Sequence, residues 1–116
     1  MVSPALRELM QRGELVGVCD GPEVRTGSAE HGVCGDQVQL SVRCRDGRLL
    51  EVRWLAQGCP ATLAIAALAA RTWTDLPHSE ATDALSAAIA GHGGLAAHER
   101  HAAALVLRAL AAAMEA

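Results

Sequence analysis

The chain contains no lysine, no phenylalanine and no tyrosine, and its 116 residues include only two tryptophans. The ten positions that hold lysine or arginine are therefore all arginine, against 13 acidic residues and a net charge of −3. An acidic chain with scattered arginines lacks the concentrated positive field that nucleic-acid binding requires. We therefore expect no nucleic-acid partner.

Long apolar runs are also missing. The longest run is ended by Arg71 and has about half the length of a membrane-spanning helix. The chain does not open with a basic segment followed by an apolar one, so we predict no secretory signal. These observations favour a cytoplasmic protein without membrane contact, in which cysteines serve metal or redox chemistry rather than disulfides. The cysteines are Cys19, Cys34, Cys44 and Cys59.

Alanine is abundant, with 24 residues in a chain that is 51% hydrophobic. Alanine favours helices, and the shortage of aromatic residues implies a core of small aliphatic side chains. A chain of this length suits a single domain, which we expect to span residues 1–116.

Four helices are predicted. Ser3 is a typical N-cap and Pro4 a typical first helical residue, which marks a helix that ends at Arg12. Pro60 marks another helix in the same way, with Cys59 as its N-cap at the positive end of the helix dipole. The predicted helices cover residues 4–12, 60–73, 79–90 and 96–115.

Two strands follow each other in the middle of the chain. Val38, Leu40, Val42 and Cys44 alternate with polar residues, which is the period of a half-buried strand. After a turn, a second strand is predicted over residues 48–56. A third, shorter strand is predicted around 23–27. The fold is therefore α+β, with a small three-stranded antiparallel sheet and helices packed on one face.

The register of the central hairpin follows from burial. A two-residue turn would place Glu51 opposite Val42 and so mix charged and apolar residues on one face. We therefore predict a three-residue loop, which pairs Val42 with Leu50 and Val38 with Trp54.

That register brings two cysteines to one end of the hairpin. Cys34, followed at two residues by Asp36, leads into the hairpin, and Gly58 and Cys59 leave it. Sulfur and carboxylate ligands with one imidazole would suit a tetrahedral zinc or a partly protein-ligated iron centre. The alternative is structural, with two packed cysteines and an aspartate that caps the turn.

The same segments carry a family resemblance. The sequence from Val24-Arg25-Thr26-Gly27 to Cys34-Gly35-Asp36, the alternating hairpin, and Gly58-Cys59 before a helix of small residues resemble the U-type iron–sulfur scaffold family. The likeness extends from about residue 22 to the end of the chain and implies the fold of that family.

The resemblance also implies a site. The first two cysteines and the aspartate of the family fall on Cys34, Cys59 and Asp36. A third family cysteine, often preceded by histidine, lies in the last helix, where this chain has His101 and Ala102. The implied ligands are therefore Cys34, Asp36, Cys59 and His101, with alanine in place of the third cysteine.

The function that the resemblance implies is a scaffold for iron–sulfur cluster assembly, not an enzyme. Its cargo would be a labile [2Fe–2S] cluster or Zn²⁺, its sulfur donor a cysteine desulfurase, and its acceptors iron–sulfur recipient proteins. One alternative is a zinc-binding sulfur acceptor that activates the desulfurase. Another, which Ala102 favours, is a metal-free interaction module.

Four further residues are weaker candidates. His98 lies three residues before His101 and shares its helix face, so both could face a metal. His31 is close enough to the first cysteine to replace a ligand. Cys44 follows the buried face of its strand and is predicted to be structural. Cys19 lies in a glycine-rich loop, as a surface cysteine or as a mobile thiol that could stand in for the missing ligand.

Overall fold

The computed structural model describes residues 2–32 and 35–115. The elements in chain order are α1 (Pro4–Arg12), β1 (Val24–Glu30), β2 (Gln37–Arg45), β3 (Arg48–Gln57), α2 (Pro60–Trp73), β4 (Leu76–Pro77), α3 (Ala81–Gly91) and α4 (His101–Glu115). Short 3₁₀ helices at His78–Glu80 and Ala97–Glu99 precede α3 and α4. In the part of the chain that is described, no helix combines the length and the apolar character needed to cross a membrane.

The sheet has the order β1-β2-β3-β4 with antiparallel pairing throughout. The predicted α+β class and the three predicted strands are confirmed, but the predicted number of strands is wrong because β4 is added at the edge. This strand has only two residues, Leu76 and Pro77, and is too short for an alternating pattern. Proline is tolerated at an edge strand, where its missing N–H leaves no inner partner unpaired.

The central hairpin differs from its predicted register. β2 and β3 are joined by a two-residue turn in which Asp46 and Gly47 both have positive φ, as in the tight turns favoured by twisted hairpins. A bulge between Arg43 and Cys44 then leaves Leu50 outside the pairing, and beyond it Val42 lies opposite Val52. The predicted three-residue loop is therefore wrong, and the predicted pairs are displaced by two residues. The predicted loop was chosen because it placed apolar residues opposite one another on the two strands. The bulge achieves the same pairing of apolar residues with a shorter turn.

The helices form layers on the apolar face of the sheet. α2 packs on β3 and α4 packs on β1 and β2, while α1 and α3 pack against α2. The approach of α4 to β1 is so close that a Cβ atom on Gly27 would overlap backbone atoms of Ala109 and Ala113. Glycine at this strand position therefore allows the helix to lie directly on the sheet.

The segment after α1 covers the open edge of β3 and part of the outer sheet face. The Trp54 amide donates to the Leu15 carbonyl (3.1 Å), and the Gly17 amide donates to the Trp54 carbonyl (2.9 Å). Further along, the Cys19 amide donates to Oγ of Ser41 (2.8 Å) on the side of the sheet away from the helices. The backbone pairing with Trp54 protects an edge of β3 that would otherwise be exposed.

The last two helices begin later than predicted. α3 starts at Ala81 after a 3₁₀ turn, rather than at residue 79. The predicted helix 96–115 is divided, because the 3₁₀ helix Ala97–Glu99 comes first and α4 starts at His101. The carboxylate of Glu99 accepts from the Ala96 amide (3.1 Å), which caps this short turn. His101 consequently lies at a helix start rather than within a helix.

Candidate metal centre

Three of the four predicted site residues meet at one end of the sheet. Asp36 immediately precedes β2, Cys59 is the N-cap of α2, and His101 is the first residue of α4. One ligand atom from each lies within 4.8 Å of the others. Among residues 2–32 and 35–115, these are the only ones that form such a group.

The hairpin register places Asp36 beside the end of β3. Gln37 pairs with Gln57, so the next positions outward are Asp36 and Gly58. Gly58 has a φ of +130°, and a Cβ atom there would overlap the Asp36 carboxylate. Oδ1 of Asp36 accepts from the Cys59 amide (3.0 Å) across this gap. A glycine at position 58 is therefore needed for the aspartate to reach the helix start.

The second carboxylate oxygen collects three donors. Oδ2 of Asp36 lies 2.7 Å from Oγ1 of Thr62, 3.1 Å from Sγ of Cys59 and 3.1 Å from Nε2 of His101. Burial by itself would raise the pKa of Asp36, but the hydrogen bonds from Thr62, Cys59 and His101 outweigh it and lower the pKa to about 2. The carboxylate is therefore ionised at neutral pH although only 2% of the residue is exposed.

The imidazole of His101 is oriented from its other side. Nδ1 lies 3.1 Å from the backbone carbonyl of His98, which can only accept a hydrogen bond. That contact directs Nε2 toward Asp36 and Cys59, and it would keep a proton on Nδ1 when Nε2 binds a metal. Histidines that bind metals commonly hold their second nitrogen in this way.

The three atoms fit a metal ion. Ligands at bond lengths of about 2.0–2.3 Å around a tetrahedral zinc lie about 3.3–3.6 Å from one another. Sγ of Cys59 and Nε2 of His101 are 3.6 Å apart, and each is 3.1 Å from Oδ2 of Asp36. The two shorter separations, from Oδ2 to Sγ and from Oδ2 to Nε2, are hydrogen-bond distances, because hydrogen atoms rather than a metal ion lie between these atoms. Oxygen, sulfur and nitrogen from these residues suit zinc or a partly thiolate-bound iron.

Comparison with known protein families shows which family the chain belongs to. A model of the NifU-like N terminal domain matches residues 4–116 of the chain. The chain belongs to the NifU-like N-terminal domain family. The resemblance that the sequence motifs suggested is thereby confirmed.

Solved structures of the same fold agree with this assignment. A NifU-like protein (N-terminal) from Brucella abortus is 18% identical, with a TM-score of 0.75 over 97% of this chain and 90% of that one. A candidate iron–sulfur cluster assembly scaffold protein for the SUF system from Fervidobacterium islandicum is 13% identical, with a TM-score of 0.77 over 97% and 95%. At these identities the likeness concerns the fold. No curated protein sequence matches the chain.

Two further positions belong to the segments that carry the family resemblance, Cys34 and Ala102. Cys34, the fourth predicted ligand, lies outside the described residues, which resume at Gly35. The His31 amide donates to the Asp36 carbonyl (2.8 Å) across this point of the chain. Ala102, the position at which the resemblance led us to expect a third cysteine, is fully buried in the core.

The weaker candidates occupy different places. The His31 ring lies against the His101 ring with centroids 5.0 Å apart, beside the three clustered residues. His98 is exposed and contributes its backbone carbonyl to the site. Cys44 packs against the core, as its strand pattern predicted. Cys19 is buried beneath the outer sheet face, where its thiol contacts the Ser41 carbonyl, so the prediction of a surface or mobile thiol is wrong.

The sequence reasoning missed one residue of the site. Thr62 is fully buried, and its hydroxyl lies within hydrogen-bond distance of Asp36 and Cys59. A signal for it existed. Thr62 is the only hydroxyl residue between Pro60 and Arg71, and it follows the N-cap cysteine by three residues, which places both on the same side of the helix.

A groove of about 490 Å³ opens beside the site. Cys59 and His101 form part of its wall, and the remainder is mostly apolar and includes Val2, Met10 and Pro60. The thiol and the imidazole are therefore accessible from one direction, while Asp36 and Thr62 lie behind them.

Proposed function

We propose that this chain is a scaffold-type protein of iron–sulfur cluster assembly, which carries a labile [2Fe–2S] cluster on Cys34, Asp36, Cys59 and His101. The observation that supports the proposal most strongly is the convergence of Asp36, Cys59 and His101 in a chain of the NifU-like N-terminal domain family. The cluster is the cargo of such a protein, and no bond of a substrate is broken for turnover, so we propose no enzymatic activity.

Each side chain has a distinct part in this proposal. The Cys59 thiol lies at the start of α2 beside the groove, where an approaching iron or sulfur species can reach it. Asp36 offers an ionised oxygen, and a carboxylate binds iron of a cluster less firmly than thiolate does, which favours release. His101 supplies a nitrogen ligand next to the position where Ala102 replaces a cysteine.

Zinc binding is the second candidate, and it is supported by the 3.6 Å separation of Sγ of Cys59 and Nε2 of His101, which matches two ligands of one tetrahedral zinc. In that case zinc would hold the site closed until one ligand is exchanged. The freed Cys59 thiolate would attack the outer sulfur of a persulfide on a desulfurase, forming a persulfide on Cys59 and releasing the donor cysteine as a thiolate. A metal-free interaction module is the third possibility. Analysis of iron, zinc and acid-labile sulfide in anaerobically purified protein distinguishes all three.

The proposal includes partners and a location. A cysteine desulfurase would supply sulfur and iron–sulfur proteins would receive the cluster, with the exchange taking place at the groove beside Cys59 and His101. The low positive charge of the chain supports a protein partner rather than a nucleic acid. Because thiols and labile clusters persist in a reducing compartment, we propose that the protein acts in the cytoplasm.

The test is anaerobic purification of the native chain followed by analysis of iron, zinc and acid-labile sulfide. Cys59→Ala removes the accessible thiol of the site, and Cys44→Ala removes a thiol that packs against the core away from it. Iron with sulfide in the native chain and in Cys44→Ala, but not in Cys59→Ala, is the expected result.

Other results would change the assignment. Zinc with the same dependence on Cys59 would favour the sulfur acceptor. Absence of metal and sulfide from the anaerobic native protein, also after incubation with iron, sulfide and thiol, would refute both metal-dependent functions and favour the interaction module.

A further inference from the structure

We infer that Thr62 is a positioning residue, which holds the Asp36 carboxylate so that Oδ2 is the oxygen presented to a metal. This inference rests on the proposed metal-binding function and concerns how the site is organised. Thr62 is the third residue of α2 and is fully buried, and its Oγ1 lies 2.7 Å from Oδ2 of Asp36.

The direction of this hydrogen bond is fixed by chemistry. An ionised carboxylate has no hydrogen to give, so the Thr62 hydroxyl must be the donor. The Cys59 amide donates to Oδ1 of the same carboxylate at 3.0 Å. Because the Thr62 hydroxyl binds Oδ2 and the Cys59 amide binds Oδ1, the carboxylate of Asp36 cannot rotate freely, and its orientation relative to α2 is set.

Only some of the hydrogen bonds to Asp36 can survive metal binding. Sγ of Cys59 and Nε2 of His101 both donate to Oδ2 in the metal-free site, and both would become metal ligands instead. The Thr62 hydroxyl and the Cys59 amide are not ligands and keep their hydrogen bonds. Thr62 is therefore the side chain that holds Oδ2 in place with or without a metal.

A purely local role in the helix does not account for this contact. A helical threonine commonly donates its hydroxyl to a carbonyl one turn earlier in its own helix. Here the hydroxyl reaches Asp36, 26 residues away in sequence, and also lies 3.4 Å from Sγ of Cys59. The first turn of α2 is already closed by the Thr62 amide, which donates to the Cys59 carbonyl (3.0 Å).

The experiment is a Co²⁺ titration of metal-free protein, read from the visible absorption of the bound ion. Thr62→Val keeps the shape and removes the hydroxyl, Thr62→Ser keeps the hydroxyl, and Thr72→Val makes the same change at a half-buried position elsewhere in α2. Loss of a hydrogen bond to a ligand typically weakens metal binding about 10-fold or more. We expect that loss and an altered absorption band for Thr62→Val, with near-native behaviour for Thr62→Ser and Thr72→Val.

A second measurement separates this inference from the proposed function. In metal-free protein, the amide resonance of Cys59 reports the orientation of Asp36, because that amide donates to Oδ1. We expect the resonance to shift in Thr62→Val and to return toward its native position in Thr62→Ser. Should Thr62→Val fail to fold, Thr62→Ala replaces it in both measurements.

The outcomes are distinct. Native Co²⁺ affinity and absorption in Thr62→Val would overturn the inference, as would an unmoved Cys59 amide resonance. Failure of the native chain to bind Co²⁺ would count against the proposed function instead, and the amide resonance would then decide the orienting role of Thr62 alone.

Discussion

Asp36 is an ionised carboxylate with only 2% of its surface exposed, and the chain compensates for its burial with four hydrogen bonds. These donors come from Cys59, Thr62 and His101, which lie on two helices. A buried charge is tolerated only when such partners are present. The aspartate therefore couples the end of the sheet to the starts of α2 and α4.

This coupling should appear in the pH dependence of stability. The pKa of Asp36 is about 2 in the folded chain against an ordinary value of 3.8, so its stabilisation is complete above pH 4 and is lost as the pH falls toward 2. The contribution is about 2 kcal/mol. Urea unfolding of metal-free protein at pH 6, 4 and 2.5 should show this loss in the native chain. An equal loss below pH 4 in Asp36→Asn would contradict the prediction.

Gly58 should be the least replaceable glycine near the site. In Gly58→Ala the new Cβ atom would displace the Asp36 carboxylate and would also require a left-handed φ. Gly17→Ala is a matched control, because its φ of +129° is almost the same and no atom lies within 4 Å of its Cβ position. Urea unfolding should show Gly58→Ala to be less stable than Gly17→Ala by about 1 kcal/mol or more.

Metal binding supplies the second comparison for these variants. Gly58→Ala should lose Co²⁺ affinity because Asp36 is displaced, whereas Gly17→Ala should bind Co²⁺ as the native chain does. Equal stability and equal Co²⁺ affinity in the two variants would show that the close approach of Gly58 to Asp36 has no energetic consequence.

At the scale of strands and helices, β1 and α4 pack so closely that no side chain fits between them at Gly27. Gly27 lies directly under the backbone of α4, and a side chain there would force the helix away from the sheet. Displacement of α4 would also move His101 at its start. The packing of one helix on one strand thus affects the position of a site residue at the far end of that helix.

Gly27→Ala tests this contact. Inserting a methyl group into a closely packed interface typically costs about 1–3 kcal/mol, and we expect a loss of that size in urea unfolding. Ser28→Ala, at the exposed neighbouring position of β1, should leave stability nearly unchanged. The prediction fails if the two variants unfold at the same urea concentration.

For the molecule as a whole, the two faces of the sheet hold cysteines of different character. Cys59 borders an open groove on the helical side, whereas Cys19 is 8% exposed on the opposite side. Burial raises the pKa of the Cys19 thiol, with a hydrogen bond from Ser41 acting against it and the charge of Glu51 adding to it. Both accessibility and ionisation therefore disfavour reaction at Cys19.

Alkylation should separate these cysteines. With iodoacetamide at neutral pH, we expect Cys19 in the metal-free native chain to react roughly 10-fold or more slowly than Cys59, and to react readily in urea. Mass spectrometry of the digested protein measures both rates. Comparable rates at the two positions under native conditions would mean that the segment after α1 does not protect the outer face.

The starts of the helices and the alternating strands could be read from the sequence because their signals are local. Ser3 and Pro4 mark the start of α1, and Cys59 and Pro60 mark that of α2, as the structure confirms. The resemblance likewise predicted Asp36, Cys59 and His101 as ligands from short segments, and the structure brings these three side chains together. Thr62 escaped notice because its partners are distant in sequence, and a lone threonine in an alanine-rich helix has no local meaning.

The sequence was thus sufficient for the α+β class, for most helix and strand positions and for the residue types that meet in the candidate site, since these depend on neighbours along the chain. The register of the hairpin depends on a bulge at Leu50. The free energy of forming that bulge depends on the pairing of two strands, so neither strand's sequence reveals it alone. His101 reaches Asp36 across 65 residues. That meeting requires α4 to lie closely on β1 and its first residue to follow a short 3₁₀ turn, and such packing is fixed only when the whole chain is folded.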